Sequence, residues 1–257
     1  MNIYQHFRPE EREFIDQVID WKEYVDQQYA PKLTDFLDPR EQHILTSIIG
    51  DNGAVKCSLF GGIEDGERKR AFLFPEYLVP NKDDFQICLF EIHYPKKFVT
   101  IEHRQVLGTL MSLGLKRGKY GDILIKEGQI QFFAAKEVSD YIQSHVEAIG
   151  RAGVKLIEKT PDQALIPKNL LEELDVTVSS LRLDTVISNV LHVSRQKSLN
   201  YIQHGLVKVN WTAIENPSFN CREGDLISVR SYGRVKILQI EGRTKKEKWR
   251  IVVGKQK

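Results

Sequence analysis

Basic side chains stand at the predicted beginnings of two short helices near the C-terminal end of the chain. Arg182 precedes the first helix, and Ser194 can cap the second, whose first turn carries Arg195 and Lys197. Backbone N–H groups and the dipole at a helix start favour anions, and guanidinium and ammonium groups donate further hydrogen bonds to phosphate oxygens. The pattern therefore predicts that these four residues form a clamp for the phosphate backbone of a nucleic acid.

Further residues that suit a nucleic acid follow on the predicted strands behind these helices. Lys208, Arg230 and Arg234 are expected to widen the clamp, because each adds a positive charge to the same domain. Tyr232 stands beside Arg234 at a strand end, where a tyrosine and an arginine can stack on a base and hold a phosphate. A plain turn at the end of the strand explains Tyr232 equally well.

A basic loop lies earlier in the chain, between a predicted helix and a predicted strand, at residues 116–121. Its glycines let backbone amides approach phosphates, and Lys116, Arg117 and Lys119 supply cations. The loop is therefore a second candidate RNA site. An ordinary solvated turn is the alternative interpretation.

Two other segments of the first 160 residues bear on RNA binding. Phe132 and Phe133 lie on a predicted strand that lacks the basic and aromatic spacing of RNA-recognition motifs, so we expect both rings to pack in a core. The run Glu67-Arg68-Lys69-Arg70 is compatible with a solvated hairpin and with a secondary RNA contact. The sequence does not separate these two interpretations.

The sequence offers no constellation typical of an enzyme, a metal site or a cofactor site. The seven histidines form no convincing catalytic pair. Cys57, Cys88 and Cys221 lie too far apart for a Cys-x-x-Cys metal motif, and we expect them to be small buried residues in a reducing compartment. We therefore expect a non-enzymatic protein without catalytic residues, metal, cofactor or small-molecule substrate.

The elements that must position these residues divide the chain into three predicted domains and a connector, with an α+β fold class. Residues 1–80 combine two amphipathic helices with a small β-hairpin, which predicts a mainly helical N-terminal domain. Residues 81–159 give the order βαββαβ of a ferredoxin-like, RRM-like middle domain. Residues 160–177, with two prolines and a net acidic composition, indicate a connector. Residues 178–257 contain the two short helices followed by strands.

The net charge of +2 hides an uneven distribution of charge along the chain. Residues 1–80 hold 9 basic and 15 acidic side chains, whereas residues 178–257 hold 15 basic and 6 acidic ones. Residues 81–159 and 160–177 carry net charges of +2 and −3. The net charge of +9 on the C-terminal domain is typical of a phosphate-backbone binder, since each bound cation releases condensed counterions.

An ordered set of short motifs runs through the C-terminal domain. The motifs are Arg182-Leu183-Asp184, Val193-Ser194-Arg195-Gln196-Lys197, Ile202, Gly205, Val207-Lys208-Val209-Asn210 and Glu223-Gly224-Asp225-Leu226-Ile227-Ser228-Val229. This order resembles the small RNA-binding domain named after ribosomal protein S-four, the S4 domain. The resemblance implies two helices packed on a bent sheet, with basic residues at the helix starts holding the RNA backbone.

One position departs from the S4 pattern. The family usually follows Val-Asn with Gly, whereas Trp211 follows Asn210 in this chain. Either the turn is built differently here or Trp211 serves as a stacking surface.

Motifs elsewhere in the chain extend the resemblance over nearly its whole length. They are Gly61-Gly62-Ile63-Glu64, Glu67-Arg68-Lys69-Arg70-Ala71, His103-Arg104, Leu107-Gly108, Leu113-Gly114, Gly121-Asp122-Ile123 and Ser231-Tyr232-Gly233-Arg234. These motifs are similar to those of the bacterial YlmH family. The resemblance implies binding to rRNA and tRNA on a large ribosomal subunit that carries a stranded peptidyl-tRNA, in support of untemplated tailing of the stalled chain in ribosome-associated quality control. It also implies an association with cell division.

Two other functions stay open. Arg182-Leu183-Asp184 also resembles the pseudouridine synthase motif, so an RNA-modifying enzyme that uses the S4 domain for targeting is one alternative. That motif continues with Thr or Ser and then Gly, whereas Thr185-Val186 follows here, and we expect Asp184 to orient Arg182 or a helix end instead. A scaffold for division proteins that uses the acidic N-terminal domain is the second alternative.

The partners and location follow from the same features. The sequence has no apolar run of ~18 residues and no signal peptide, so we expect a cytoplasmic protein that does not enter a membrane. We expect it to be a monomer whose partners are rRNA and tRNA.

Overall fold

The computed structural model describes residues 9–51, 53–166, 171–244 and 246–256, together with residues 4 and 7. Contacts along the chain separate it into two units, Met1–Pro167 and Lys168–Lys257, each with buried clusters of its own. No helix in these described ranges combines the length and the apolar composition needed to cross a bilayer.

The first 80 residues form two helices packed on a three-stranded antiparallel sheet. The helices are α1 (Arg12–Gln28) and α2 (Pro39–Ile49). The strands are β1 (Lys32–Leu37), β2 (Val55–Phe60) and β3 (Lys69–Pro75), in the spatial order β1-β3-β2. Apolar residues of both helices pack against the sheet in one cluster.

Strand β1 was not predicted from the sequence, which indicated only two helices and a β-hairpin in residues 1–80. It pairs antiparallel with β3, from Lys32 opposite Leu73 to Leu37 opposite Lys69. Thr34 is buried, and its hydroxyl oxygen accepts a hydrogen bond from the Ala71 backbone N–H at 2.9 Å. The polar Thr34-Asp35 pair has the composition of a loop, and only its pairing with a strand 35 residues later makes it a strand.

Residues 87–159 contain a four-stranded antiparallel sheet with two helices on one face. The spatial order of the strands is β5-β6-β4-β9. In chain order the elements are β4 (Ile87–His93), α3 (His103–Ser112), β5 (Tyr120–Lys126), β6 (Gln129–Ala135), α4 (Ser139–His145), a ribbon of β7 (Ala148–Ile149) and β8 (Ala152–Gly153), and β9 (Lys155–Lys159).

The second face of this sheet is covered by other parts of the same unit. Phe133 on this face packs in a cluster with Phe36 of β1, Ile63 and Leu165. Phe132 points to the opposite face and packs against the helices. Both phenylalanines are fully buried, which confirms that they are core residues.

Two glycines allow this close approach. Gly62 has a φ of 97°, and a Cβ atom there would lie 2.3 Å from the Phe133 ring. At Gly121 a Cβ atom would lie 2.8 Å from the Phe36 ring. A larger residue at either position would separate the first sheet from the second.

The C-terminal unit is a six-stranded antiparallel sheet with two helices. The helices are α5 (Leu183–Val190) and α6 (Arg195–Gln203), and each ends one residue before the limit that the sequence predicts, Leu191 and His204. The spatial order is β10-β15-β14-β13-β11-β12. The strands are β10 (Leu171–Val178), β11 (Val207–Val209), β12 (Thr212–Ala213), β13 (Leu226–Val229), β14 (Gly233–Arg243) and β15 (Trp249–Gln256).

Part of the segment predicted as a connector belongs to this sheet. Strand β10, Leu171–Val178, pairs with β15 along its whole length, so residues 171–177 are an edge strand and not a linker. Acidic residues alternate with Leu174 and Val176, which pack against the core cluster of this unit. The acidic composition that indicated a connector is the exposed side of an amphipathic strand.

Candidate nucleic-acid interface

The buried carboxylate of Asp184 holds the side chains of Arg182 and Arg195 together. Its Oδ1 and Oδ2 accept hydrogen bonds from Arg182 Nε and Nη2 at 3.1 and 3.2 Å. Its Oδ2 also accepts from Arg195 Nε at 3.2 Å and from Arg195 Nη2 at 3.1 Å. The Asp184 side chain is 0% exposed, whereas those of Arg182 and Arg195 are 39% and 65% exposed. Asp184 thus holds each guanidinium group on its buried side, and each group has further N–H groups that can donate to another acceptor.

The electrostatics of this group favour the ionised carboxylate. Burial alone would raise the pKa of Asp184, but the hydrogen bonds from Arg182 and Arg195 outweigh burial and lower the pKa below its ordinary value. The Thr185 backbone N–H also donates to Asp184 Oδ1, at 2.9 Å. Asp184 therefore orients Arg182, as the sequence predicts, and it orients Arg195 as well.

Helix α6 begins beside this carboxylate. Ser194 is its N-cap, and the Ser194 Oγ accepts a hydrogen bond from the Lys197 backbone N–H at 3.2 Å. The Ser198 Oγ donates to the Asp184 carbonyl oxygen at 2.9 Å, which ties the first turn of α6 to the first turn of α5. The structure thus brings Arg182, Ser194, Arg195 and Lys197 to one place at the two helix starts.

Lys197 lies over two tyrosine rings on this surface. Its Nζ is 5.9 Å from the ring centroid of Tyr201 and 5.7 Å from that of Tyr232. The Tyr201 hydroxyl donates to the Tyr232 hydroxyl at 3.2 Å. The hydrogen bond with Tyr201 and the Lys197 ammonium lower the pKa of Tyr232. Tyr232 therefore lies in the turn between β13 and β14 and also belongs to a Lys-Tyr-Tyr cluster.

Tyr201 is a site residue that the sequence interpretation missed. It stands four residues after Lys197 on α6, and residues at this spacing are neighbours on a helix surface. This i,i+4 spacing is the sequence signal that could have identified it.

Lys208 and Arg234 lie on the other face of the sheet. Lys208 is opposite Ser228, which is opposite Arg234, so the three residues form a row across β11, β13 and β14. The flanking Val207 and Val209 are buried in the cluster that contains the helices. Because successive side chains alternate in a strand, Lys208 and Arg234 point away from the helix starts. They form a separate basic row and do not extend the surface around Asp184, and Arg230 is exposed just after β13.

The basic loop at residues 116–121 is used largely for internal packing. Lys119 Nζ contacts Asp35 Oδ1 at 2.6 Å and Glu137 Oε1 at 3.0 Å. Arg117 Nη1 donates to the Tyr120 carbonyl oxygen at 2.6 Å, and burial lowers the pKa of Arg117 to about 10. Of the three cations in this loop, only Lys116 is exposed.

The Glu67–Arg70 segment is also internal. Arg70 is 3% exposed, and its guanidinium contacts Glu137 at 3.1 Å and the Thr34 carbonyl oxygen at 2.7 Å. Arg68 Nη2 donates to the Phe36 carbonyl oxygen at 2.8 Å. These contacts hold the N-terminal elements against the middle sheet, so Arg70 is not accessible to RNA, whereas Glu67, Arg68 and Lys69 are partly exposed.

Lys119→Ala is expected to leave RNA affinity unchanged and to lower the free energy of unfolding by about 1 kcal/mol, because it removes a partly buried contact with Asp35 and Glu137. Urea unfolding and RNA titration of the full chain check the two effects. Lys116→Ala is the matched control, with the same loss of charge and no loss of stability. If RNA affinity fell in Lys119→Ala but not in Lys116→Ala, Lys119 would belong to the RNA-binding surface and this account of the loop would be wrong.

A hydrogen-bond network explains the Asn210 and Asp225 positions of the S4 motifs. Asn210 Nδ2 donates to Asp225 Oδ1 at 2.8 Å, and Asn210 Oδ1 accepts from the Leu226 N–H at 2.9 Å. Asn210 and Trp211 form the two-residue turn between β11 and β12, with φ values of 48° and 63°. Trp211 thus adopts the left-handed backbone conformation that glycine prefers, at the position where the S4 family usually has glycine.

We expect Trp211→Gly to raise the free energy of unfolding by about 1 kcal/mol, because glycine adopts a positive φ without strain. The indole is half-buried and does not belong to the buried cluster of the C-terminal unit. Asn210→Gly is the matched control and should lower stability, because it removes the hydrogen bonds to Asp225 and Leu226. Urea unfolding measures both, and a destabilised Trp211→Gly variant would contradict this account of the turn.

Comparison with family models assigns all three parts of the chain. Residues 10–78 match the model described as "YlmH, N-terminal", residues 80–163 match "Putative RNA-binding domain in YlmH", and residues 181–227 match "S4 domain". The S4 match covers the Asp184 group, both helices and the Asn210 turn.

Individual proteins agree with these models. The chain is 46% identical over 256 residues to ribosome-associated protein quality control protein P2 of Bacillus subtilis (strain 168), a match that covers 100% of this chain and 99% of that protein. It is 29% identical over 113 residues to small ribosomal subunit protein uS4 of Maricaulis maris (strain MCS10), covering 44% of this chain and 52% of that protein.

A solved structure gives the same relationship. Cell division protein ylmH from Streptococcus pneumoniae is 35% identical to this chain, with a TM-score of 0.55, and the match covers 64% of this chain and 100% of that one. The families matched are thus RNA-binding and ribosome-associated. With a relative at 46% identity over its full length and three matching domain models, the chain belongs to the YlmH family.

Proposed function

We propose that this protein is a non-enzymatic RNA-binding protein whose principal contact is the surface around Asp184. Arg182 and Arg195 bind neighbouring phosphates, and the start of α6 with Lys197 adds backbone N–H groups and a third cation. Tyr201 and Tyr232 supply aromatic faces beside these cations. The observation that carries the proposal is the buried carboxylate that holds two exposed guanidinium groups together. We call these residues the Asp184 clamp.

The RNA is proposed to be rRNA and tRNA of the large ribosomal subunit. The relative from Bacillus subtilis is named as a ribosome-associated quality control protein, and the S4 model matches the domain that carries the clamp. In this role a cytoplasmic monomer binds a large subunit with a stranded peptidyl-tRNA and supports untemplated tailing of the stalled chain. Shape and phosphate contacts suit such a folded RNA better than readout of a base sequence.

Three domains serve this function in the proposal. Residues 1–80 form the N-terminal domain, and residues 81–159 form a ferredoxin-like middle domain, supported by the strand order β5-β6-β4-β9 with two helices on one face. The C-terminal domain takes in β10 and so begins near residue 171 instead of 178.

The burial of Asp184 argues against a pseudouridine synthase. A nucleophilic Asp must reach the uridine, but Asp184 is 0% exposed and its carboxylate oxygens are occupied by Arg182, Thr185 and Arg195. The same carboxylate is well suited to orienting two phosphate-binding side chains.

Purification of the tagged full chain from growing cells tests the ribosomal assignment. Sequencing of the bound RNA is expected to give large-subunit rRNA together with tRNA, lost when the extract is treated with high salt. Recovery of small-subunit rRNA alone, or of no RNA, would overturn the assignment.

A role as a division scaffold is the second candidate, favoured by the name of the pneumococcal structure. Exposed Glu13, Asp16, Asp20 and Glu23 along α1 give this scaffold an acidic surface for a basic protein partner. Division proteins that remain bound to the tagged chain after ribonuclease treatment would support this candidate.

A further inference from the structure

Among the residues that the structure describes, the contacts of the middle sheet with the N-terminal elements lie at one end of its strands. The packed end, at Tyr120 of β5 and Ala135 of β6, is adjacent to Lys119 and Glu137, which contact Asp35 and Arg70. The other end comprises the β5–β6 turn, the last residue of β4 and the first residue of β9. We call it the free end of the middle sheet.

The surfaces on which an RRM-like domain could bind RNA are therefore mostly occupied here. One sheet face packs on α3 and α4, and the other packs on Phe36, Ile63 and Leu165. Arg117 and Lys119 of the 116–121 loop contact the protein itself. RNA binding by this domain needs a different surface, and the free end is the candidate.

A short turn at the free end exposes a phenylalanine. Phe98 follows β4 in the segment Pro95-Lys96-Lys97-Phe98, and its side chain is 86% exposed. Few large apolar residues in the described ranges are as exposed, and a ring this open to water gains nothing for the folded state.

The backbone of this turn is held in place. The Phe98 and Val99 N–H groups donate to the Pro95 carbonyl oxygen at 3.0 and 3.2 Å. The Tyr94 hydroxyl donates to the Gly128 carbonyl oxygen at 2.9 Å, which fixes the turn to the tip of the β5–β6 hairpin. Tyr94 and Val99 also pack against the core of the domain. Phe98 is thus presented on an anchored support.

Four lysines lie at this end of the sheet. Lys96 and Lys97 directly precede Phe98 and are exposed, Lys126 ends β5, and Lys155 begins β9 opposite His93. Within the described ranges, none of these four lysines forms an ion pair with a carboxylate. Cations around an aromatic ring are the arrangement by which proteins bind single-stranded nucleic acid, with phosphates on the cations and a base stacked on the ring.

We infer that the free end of the middle sheet is a second RNA site, where Phe98 stacks on an unpaired base and Lys96 and Lys97 contact the flanking phosphates. The inference rests on the proposed function, because it assigns RNA to a second surface of the same protein. The site takes single-stranded RNA, such as a loop or an end, since a base inside a duplex cannot stack on a side chain.

Binding of a fluorescein-labelled 12-nucleotide uridine oligomer to the full chain tests this site, both in the wild type and in an Arg182→Ala/Arg195→Ala background. Phe98→Ala should lower the affinity about fivefold to tenfold in each background, and Phe98→Trp should retain it. Lys96→Ala/Lys97→Ala should reduce the slope of log K against log salt by about 1.4. The matched control, Lys82→Ala/Lys136→Ala, removes the same charge at the packed end and should change the affinity less.

The outcomes separate this inference from the clamp. Unchanged oligomer binding by Phe98→Ala would overturn the second site, whereas unchanged affinity of Arg182→Ala/Arg195→Ala for large ribosomal subunits would overturn the clamp alone. Anionic phosphatidylglycerol vesicles are the probe for a membrane surface. If Phe98→Ala released the protein from vesicles and left oligomer binding intact, the surface would be a lipid site and the inference would be wrong.

Discussion

Replacing Arg182 and Arg195 together by alanine is expected to lower affinity for large ribosomal subunits on the order of 100-fold. Each guanidinium group supplies charge-assisted hydrogen bonds to a phosphate, and Asp184 fixes both groups before RNA arrives, so little side-chain entropy is lost on binding. The slope of log K against log salt should fall by about 1.8, because two phosphate contacts disappear. Titration of labelled protein with purified subunits at several salt concentrations measures both quantities.

The control for this variant removes the same charge elsewhere in the C-terminal unit. Arg243 and Arg250 are exposed; Arg243 pairs with Glu247 in the turn between β14 and β15, and Arg250 pairs with Glu241 of β14. Arg243→Ala/Arg250→Ala should lower affinity only a few-fold, through the general loss of positive charge. Equal losses from the two double variants would show that net charge, and not the clamp, drives binding.

The clamp variant also carries a cost in stability. Without Arg182 and Arg195, the Asp184 carboxylate loses the hydrogen bonds from its two cationic partners, a change that should destabilise the protein by about 1–3 kcal/mol. Binding is therefore measured where urea unfolding and circular dichroism show a fully folded population. Arg182→Lys/Arg195→Lys keeps the charge without the planar fork and should bind with intermediate affinity.

Asp184→Asn is expected to weaken RNA binding about tenfold, although it makes the protein more positive. A change that removes a negative charge ordinarily strengthens binding to a polyanion. Here it replaces one of the two acceptor oxygens by an NH2 group, which cannot accept from a guanidinium group, so Arg182 and Arg195 are no longer both held. Stronger binding by Asp184→Asn would refute the orienting role, and the exposed Glu215→Gln in the same unit is the matched control.

The same substitution should change how stability depends on pH. The folded protein lowers the pKa of Asp184, so its contribution is present above the unfolded pKa of about 3.9 and is lost as pH falls through the folded value. Wild type should exceed Asp184→Asn in free energy of unfolding by about 2 kcal/mol at pH 7. This difference should shrink below about pH 4, and urea unfolding at several pH values measures it.

Local sequence motifs identified much of the fold and of the clamp. Ser194 and Gly205 set the limits of α6. Asp38 and Glu41 form a capping box at the start of α2, as their spacing of three residues predicts. The charge of the C-terminal domain predicted an RNA-binding surface there, which is where we propose the clamp. Each of these signals lies within a few residues or in the composition of one segment.

Long-range contacts could not be predicted in this way. Lys119 contacts Asp35, from which it is separated by 84 positions in the sequence. A loop with the composition of an RNA site therefore makes contacts within the protein instead. Strand β10 exists because it pairs with the last strand of the chain. Lys208 and Arg234 point away from the helix starts because side chains alternate along a strand. Phe98 became a candidate RNA contact only when the structure showed that its ring is exposed.

Directed hydroxyl-radical cleavage tests the clamp most directly, because it reports where the RNA lies. Burial raises the pKa of Cys57, Cys88 and Cys221 to about 12, so an iron chelate will attach selectively to an introduced cysteine. Gln196→Cys places the chelate on the exposed first turn of α6, and Asp20→Cys places it on the acidic helix α1. We predict localised cleavage of large-subunit rRNA or bound tRNA from residue 196 and much weaker cleavage from residue 20. Cleavage from residue 20 with none from residue 196 would contradict the Asp184 clamp.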